Sequence, residues 1–97
     1  MSTEEYEYKI INGPSKFDLM LALFDIDKQR RINFVVDNHG KNTIYCIISG
    51  VTIGFDTEQW IITGKITSDR NGGGIAGRNF SAVYSTHTRK GTFSFNF

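Results

Sequence analysis

The twelve residues SKFDLMLALFDI, positions 15–26, decide the fold. They are the only stretch of the chain with sustained helical spacing of apolar side chains. Phe17, Met20, Leu21 and Phe24 fall at i, i+3, i+4 and i+7, on one face of a helix. Ser15 is suited to the N-cap, and Asp18, three residues on, complements the positive end of the helix dipole. The opposite side is not polar. Leu19, Ala22, Leu23 and Ile26 form a second apolar stripe, which leaves Asp18 and Asp25 as the polar edge. The Phe17–Phe24 face is expected to meet the core, and at least two residues of the second stripe to reach solvent.

On either side of this helix the apolar period is two, the period of a strand with one face buried. Tyr6, Tyr8 and Ile10 alternate with Glu5, Glu7 and Lys9 before Asn12-Gly13-Pro14 ends the segment. After residue 30 the chain reads as strands alone. Ile32, Phe34 and Val36 lead into a turn at residues 37–42, and a long strand follows over 43–53. Trp60, Ile62, Gly64 and Ile66 then alternate with Gln59, Ile61, Thr63 and Lys65, Phe80, Ala82 and Tyr84 with Ser81, Val83 and Ser85, and finally Phe93, Phe95 and Phe97 with Thr92, Ser94 and Asn96. A tight turn is expected at 87–90, with Gly91 in a left-handed bulge position. The order is β-α-β-β-β-β-β. Short connections imply antiparallel neighbours. The expected fold is α+β: a single helix packed on a curved antiparallel meander sheet, in the limit a half-open barrel. Glycines at 50, 54 and 64 permit the curvature.

A chain of 97 residues is one domain, and a load of 39% hydrophobic and 13% aromatic residues is enough for a packed core. Cys46 is the only cysteine, so no internal disulfide forms. A reducing, cytoplasmic setting is expected on that ground. The acidic start Met1-Ser2-Thr3-Glu4-Glu5 does not read as a signal peptide, and no apolar run is long enough to cross a bilayer. The net charge of +1 is unevenly distributed. Residues 1–27 carry six acids and two bases, a balance of −4, and residues 28–97 carry four acids and nine bases, a balance of +5.

Few residues offer chemistry. Gly72-Gly73-Gly74-Ile75-Ala76-Gly77 fits G-x-G-x-x-G, but that pattern holds a pyrophosphate only where a helix follows it, and here a strand follows. The segment reads first as a flexible hairpin loop, and next as a mobile contact loop with Arg70 and Arg78 at its base able to grip a phosphate or carboxylate. His39 and His87 lie in turns at opposite ends of a meander of seven-residue strands, roughly 23 Å apart, too far to share one substrate atom. Cys46 has Tyr45 and Ile47 as neighbours and no base beside it, so it reads as a small buried hydrophobe. No spacing fits a zinc site. Lys28, Arg30, Arg31, Arg70, Arg78, Arg89 and Lys90 give a basic set of the kind that binds single-stranded nucleic acid. The strand faces assigned to solvent carry mostly Ser, Thr and Asn, however, without the stacking aromatics such binding uses.

No catalytic residue, cofactor or metal is therefore expected, and the chain is not expected to be an enzyme. The expected function is a small cytosolic protein-binding module. An inhibitor or immunity-type protein that neutralises a larger macromolecule is favoured, as in bacterial toxin–immunity and phage anti-defence systems. The expected partner surface is Asp18, Leu19, Ala22, Leu23, Asp25, Ile26 and Asp27, whose acids would steer a partner with a basic surface. A homodimer through the same stripe is compatible with this. A small-ligand-binding barrel and a nucleic-acid-binding domain are the alternatives, and no membrane partner is expected.

Overall fold

In the computed structural model, which describes residues 5–53, 59–69 and 74–96, period-two patterning produces six strands. They are β1 (Glu5–Asn12), β2 (Arg31–Asp37), β3 (Lys41–Ile53), β4 (Gln59–Asp69), β5 (Asn79–Ser85) and β6 (Lys90–Asn96). The helix α1 (Lys16–Phe24) lies between β1 and β2 and is followed by a 3₁₀ turn at Ile26–Lys28. Each strand pairs antiparallel with the next. The sheet then closes, because β6 also pairs with β1 from Glu5 opposite Asn96 to Ile10 opposite Gly91. The expected open or half-open meander is thus a closed six-stranded barrel. Closure removes both free edges, where unpaired backbone groups would otherwise be exposed.

Tight closure demands close backbone approach at a few points, and glycines supply it. A Cβ on Gly64 would overlap the carbonyl oxygen of Ile47, and one on Gly91 would overlap that of Val83. Gly50 follows a register shift on β3 opposite β4, where the strand bends. Of the glycines expected to permit curvature, 50 and 64 sit at such points, and Gly54 lies outside the described residues. The left-handed residue of the β5–β6 turn is Arg89, at φ 61°, rather than Gly91, whose role is the close approach.

Inward-pointing side chains fill the barrel. Phe34 meets Tyr84 edge-on at 5.5 Å between ring centres, and Phe80 stacks on Phe93 at 5.0 Å. Ile32, Ile44, Cys46, Ile62, Ile66 and Phe95 belong to the same core, with Ile10, Val36, Ile48, Trp60 and Ala82. Among the described residues one polar side chain is buried with them: Asn42, only 3% exposed, has no hydrogen-bond partner for either amide atom. At the opposite rim from the helix, Ile75 is buried in the barrel end.

The helix closes the other rim, but with the face opposite to the one expected. Leu19 is fully buried and Ala22 is 2% exposed, with Leu23 packed beside them. Phe17 and Phe24 are 69% and 80% exposed, and Met20 is exposed as well. The reason is space. Tyr84 and Phe34 already occupy the barrel beneath the helix, and the remaining opening takes a leucine and an alanine more readily than two phenylalanines. Ala22, with the smallest side chain of the helix, allows close approach of the backbone. The N-cap is as expected: Asp18 N–H donates to Ser15 Oγ at 3.1 Å, and Ser15 N–H to the Asp18 carboxylate at 3.4 Å. The linker before the helix is fixed by Tyr84, whose hydroxyl donates to the Pro14 carbonyl at 2.7 Å in a buried bond. Gly13 lies so close to the Tyr84 ring that a Cβ there would collide with it.

Candidate functional site

β3 and β4 are the longest strands, with 13 and 11 residues. Past the bend at Gly50, β3 continues beyond its last pair with β2 (Arg31 opposite Ile47) while staying paired with β4, so that Ile53, opposite Trp60, stands beside α1. Between this extension and the helix lies a groove of about 420 Å³ lined by Lys16, Met20, Leu23, Phe24, Ile53 and Trp60. Its walls are almost wholly apolar, and the Lys16 side chain at its rim is the one charged group among them. Ile53 is exposed, as are Phe17 and Phe24 on the adjoining helix surface. Together they form a continuous apolar patch at one end of the molecule, the kind of exposed surface that marks an interaction site.

The expected contact surface is only partly available. Leu19 and Ala22 belong to the core and cannot meet a partner. Leu23 is half-buried at the floor of the groove, and Ile26 is exposed beyond the helix end. Two of the four apolar residues of that stripe thus reach solvent, but the larger exposed surface is the face assigned to the core. The acids are also committed more than expected. Asp18 is held in the capping box. Asp25 pairs with Lys28 at 3.8 Å and Arg30 at 3.4 Å. Asp27 is exposed and forms no ion pair with any other described residue.

No family model, curated protein or solved structure matched the chain in the comparisons made. The site is therefore argued from its own geometry.

The other candidates are placed as follows. Arg70, Gly72 and Gly73 of the expected contact loop lie outside the described residues. The described remainder is anchored rather than loose: Ile75 is buried, Gly77 N–H donates to Ile66 O at 2.7 Å, and Ile66 N–H donates to Arg78 O at 2.8 Å. Gly74 and Gly77 take positive φ, 73° and 87°, to make this turn. His39 and His87 are exposed in the β2–β3 and β5–β6 turns, which an up-and-down barrel puts at opposite rims. Cys46 is buried and free, and burial pushes its thiol well above the ordinary range, which disfavours the nucleophilic thiolate. Arg31 lies over the Tyr45 ring, 5.5 Å from its centre, on the outer wall of β2 and β3. A second, more polar depression of about 220 Å³ runs between α1 and β2, with Asp18, Arg30, Arg31 and Asn33 in its lining. Its lining carries one acid and two bases, and Arg30 is also paired with Asp25.

Sequence reasoning missed the groove because its two walls are distant in sequence and because Trp60 was assigned to the interior alone. The length of the run from residue 41 to residue 53 held the signal: it is longer than the barrel needs.

Proposed function

We propose that this chain is a protein-interaction module that docks through the outer face of α1 and the adjoining groove, in the manner of small inhibitors that neutralise a larger macromolecule. The exposure of Phe17 and Phe24 beside that groove carries the reading. Aromatic anchors next to apolar pockets dominate the energetics of protein interfaces. A closed barrel capped by a helix supplies a rigid platform, so little ordering cost is paid on binding. The buried, free thiol of Cys46 supports a reducing, cytoplasmic setting. The charge assigned to the partner changes, however. With Asp18 and Asp25 engaged locally and Lys16 at the groove rim, the complement is an apolar surface bearing an acid rather than a base.

The test is a photo-crosslinking benzoylphenylalanine at position 24, activated in the source cells, with the same residue at Thr63 on the barrel wall as control. One dominant protein adduct at position 24, absent at position 63, is the expected result. Equal, diffuse labelling at both positions would remove the reading.

The groove also has the size of a small-ligand pocket. An apolar carboxylate, its tail against Trp60 and Ile53 and its head on Lys16, is the second reading. Native mass spectrometry of the purified chain would reveal such a ligand as a retained mass.

A further inference from the structure

We infer that the occupant of this surface in the free protein is a second copy of the same chain, joined through an antiparallel, two-fold pairing of the α1 helices. The inference rests on the docking surface proposed above and names what covers it.

The argument begins with charge. A helix favours acids at its N-terminus and bases at its C-terminus. Here Lys16 opens the helix, Asp25 caps its C-terminal end, Asp27 follows in the 3₁₀ turn, and no base lies in the last turn. Asp25 is compensated within the chain by Lys28 and Arg30. Lys16 and Asp27 are both exposed, and neither forms an ion pair with another described residue. Two such helices laid antiparallel place Lys16 of each copy near Asp27 of the other, and bring each misplaced charge to the dipole end that favours it.

The apolar residues obey the same symmetry. With the two-fold axis between Met20 and Leu21, Phe17 of one copy faces Phe24 of the other, and the two Met20 side chains meet near the axis. A C2 interface requires a patch that complements itself, and this patch holds both knobs and a groove. An aromatic ring from the opposing helix suits a groove of about 420 Å³ walled by Met20, Leu23, Ile53 and Trp60, with Lys16 at its rim for the opposing acid.

The area sets the strength. A phenylalanine buries on the order of 200 Å². Two per copy, with Met20 and Ile53, remain below the ~800 Å² per partner of a standard stable interface. The pair is accordingly weak and exchanging, with a dissociation constant on the order of 10–100 µM. A dimer of this strength shields the aromatic surface at high concentration and releases it to a tighter-binding partner.

Sedimentation equilibrium over roughly 1 µM to 1 mM tests this, across the range where such a dimer forms. Phe24 is exposed, so Phe24→Asp leaves the barrel folded, and it is expected to be monomeric throughout. Lys16→Asp and Asp27→Lys are each expected to weaken the wild-type dimer about 5-fold, since each breaks two symmetric ion pairs. Both changes suit the helix dipole, so neither should lower the melting temperature. The double variant Lys16→Asp/Asp27→Lys is expected to bind more tightly than either single change, because the pair is restored with its signs reversed, but less tightly than wild type, because each charge now meets the unfavourable dipole end of the opposing helix. A monomeric wild type at ~1 mM overturns the dimer. So does a dimer that survives Phe24→Asp, or a double variant no better than either single change. A monomeric wild type whose position-24 crosslinker still captures one other protein overturns the second copy as occupant while the docking surface stands.

Discussion

Tyr84 ties the entrance of the helix to the barrel core. Its ring packs edge-on against Phe34, and its hydroxyl holds the Pro14 carbonyl at the entrance to the helix. Tyr84→Phe leaves that buried carbonyl without its donor and is expected to cost about 1–3 kcal/mol in denaturant unfolding. The hydroxyl also sets an alkaline limit. Burial pushes its pKa from the ordinary 10 up to about 12, with Arg89 pulling the other way. Because the folded value is the higher one, the stabilisation is fully present below pH 10 and is lost as the pH rises toward 12. The wild type should therefore lose urea resistance across that window faster than Tyr84→Phe; parallel declines would show that the hydroxyl is not the titrating group. Asn42 presents the opposite case, a buried amide with neither atom bonded. Asn42→Leu removes a desolvated polar group without orphaning a partner, and is expected to raise the melting temperature by about 4–8 °C, the shift that ~1 kcal/mol gives in a domain of this size. A lower melting temperature would mean that the amide is satisfied in solution.

At the scale of elements, the helix decides which apolar surface is structural and which is free. Leu19→Ala opens a cavity over the barrel mouth and is expected to cost about 2–5 kcal/mol. Phe24→Ala removes a side chain that is 80% exposed and should stay within about 0.5 kcal/mol of wild type. Thermal or chemical melts of the two variants, measured on monomeric protein, check the assignment; equal losses would contradict it. This choice of face was not legible in the sequence. Residues 16–26 are apolar around most of the wheel, so periodicity alone could not rank Phe17, Met20, Leu21 and Phe24 against Leu19, Ala22 and Leu23. What ranks them is the volume left in a barrel mouth that residues 34 and 84 have already filled, a long-range property. The strands were legible because period two is local: Ile32, Phe34, Trp60, Ile62, Tyr84, Phe93 and Phe95 are all buried, as their alternation implied. Asp18 and Asp25 looked like a steering surface because composition does not reveal which partners a side chain finds at short range.

For the whole molecule, closure is the defining event, and it depends on backbone approach. The sequence implied a curved antiparallel sheet but not that β1 and β6 would meet, because their pairing joins the two most distant strands and leaves no local signature. Gly64 lies where β4 presses against the carbonyl of Ile47. Gly64→Ala must push these strands apart and is expected to destabilise by about 1–3 kcal/mol, the usual range for overpacking. Unfolding of this variant at wild-type denaturant concentration would show that the strands part without strain. The closing seam also has a mechanical side. Glu5 lies opposite Asn96, so the two flanks of the seam leave the barrel from the same rim, next to each other. Tension applied at those two points does not shear the seam as a unit. It loads the outermost pair first and passes the load inward rung by rung, each rung carrying only one pair's resistance. The barrel that gains cooperativity from having no edge is thus a fragile link under force, and a machine that pulls on both flanks would open it like a zipper.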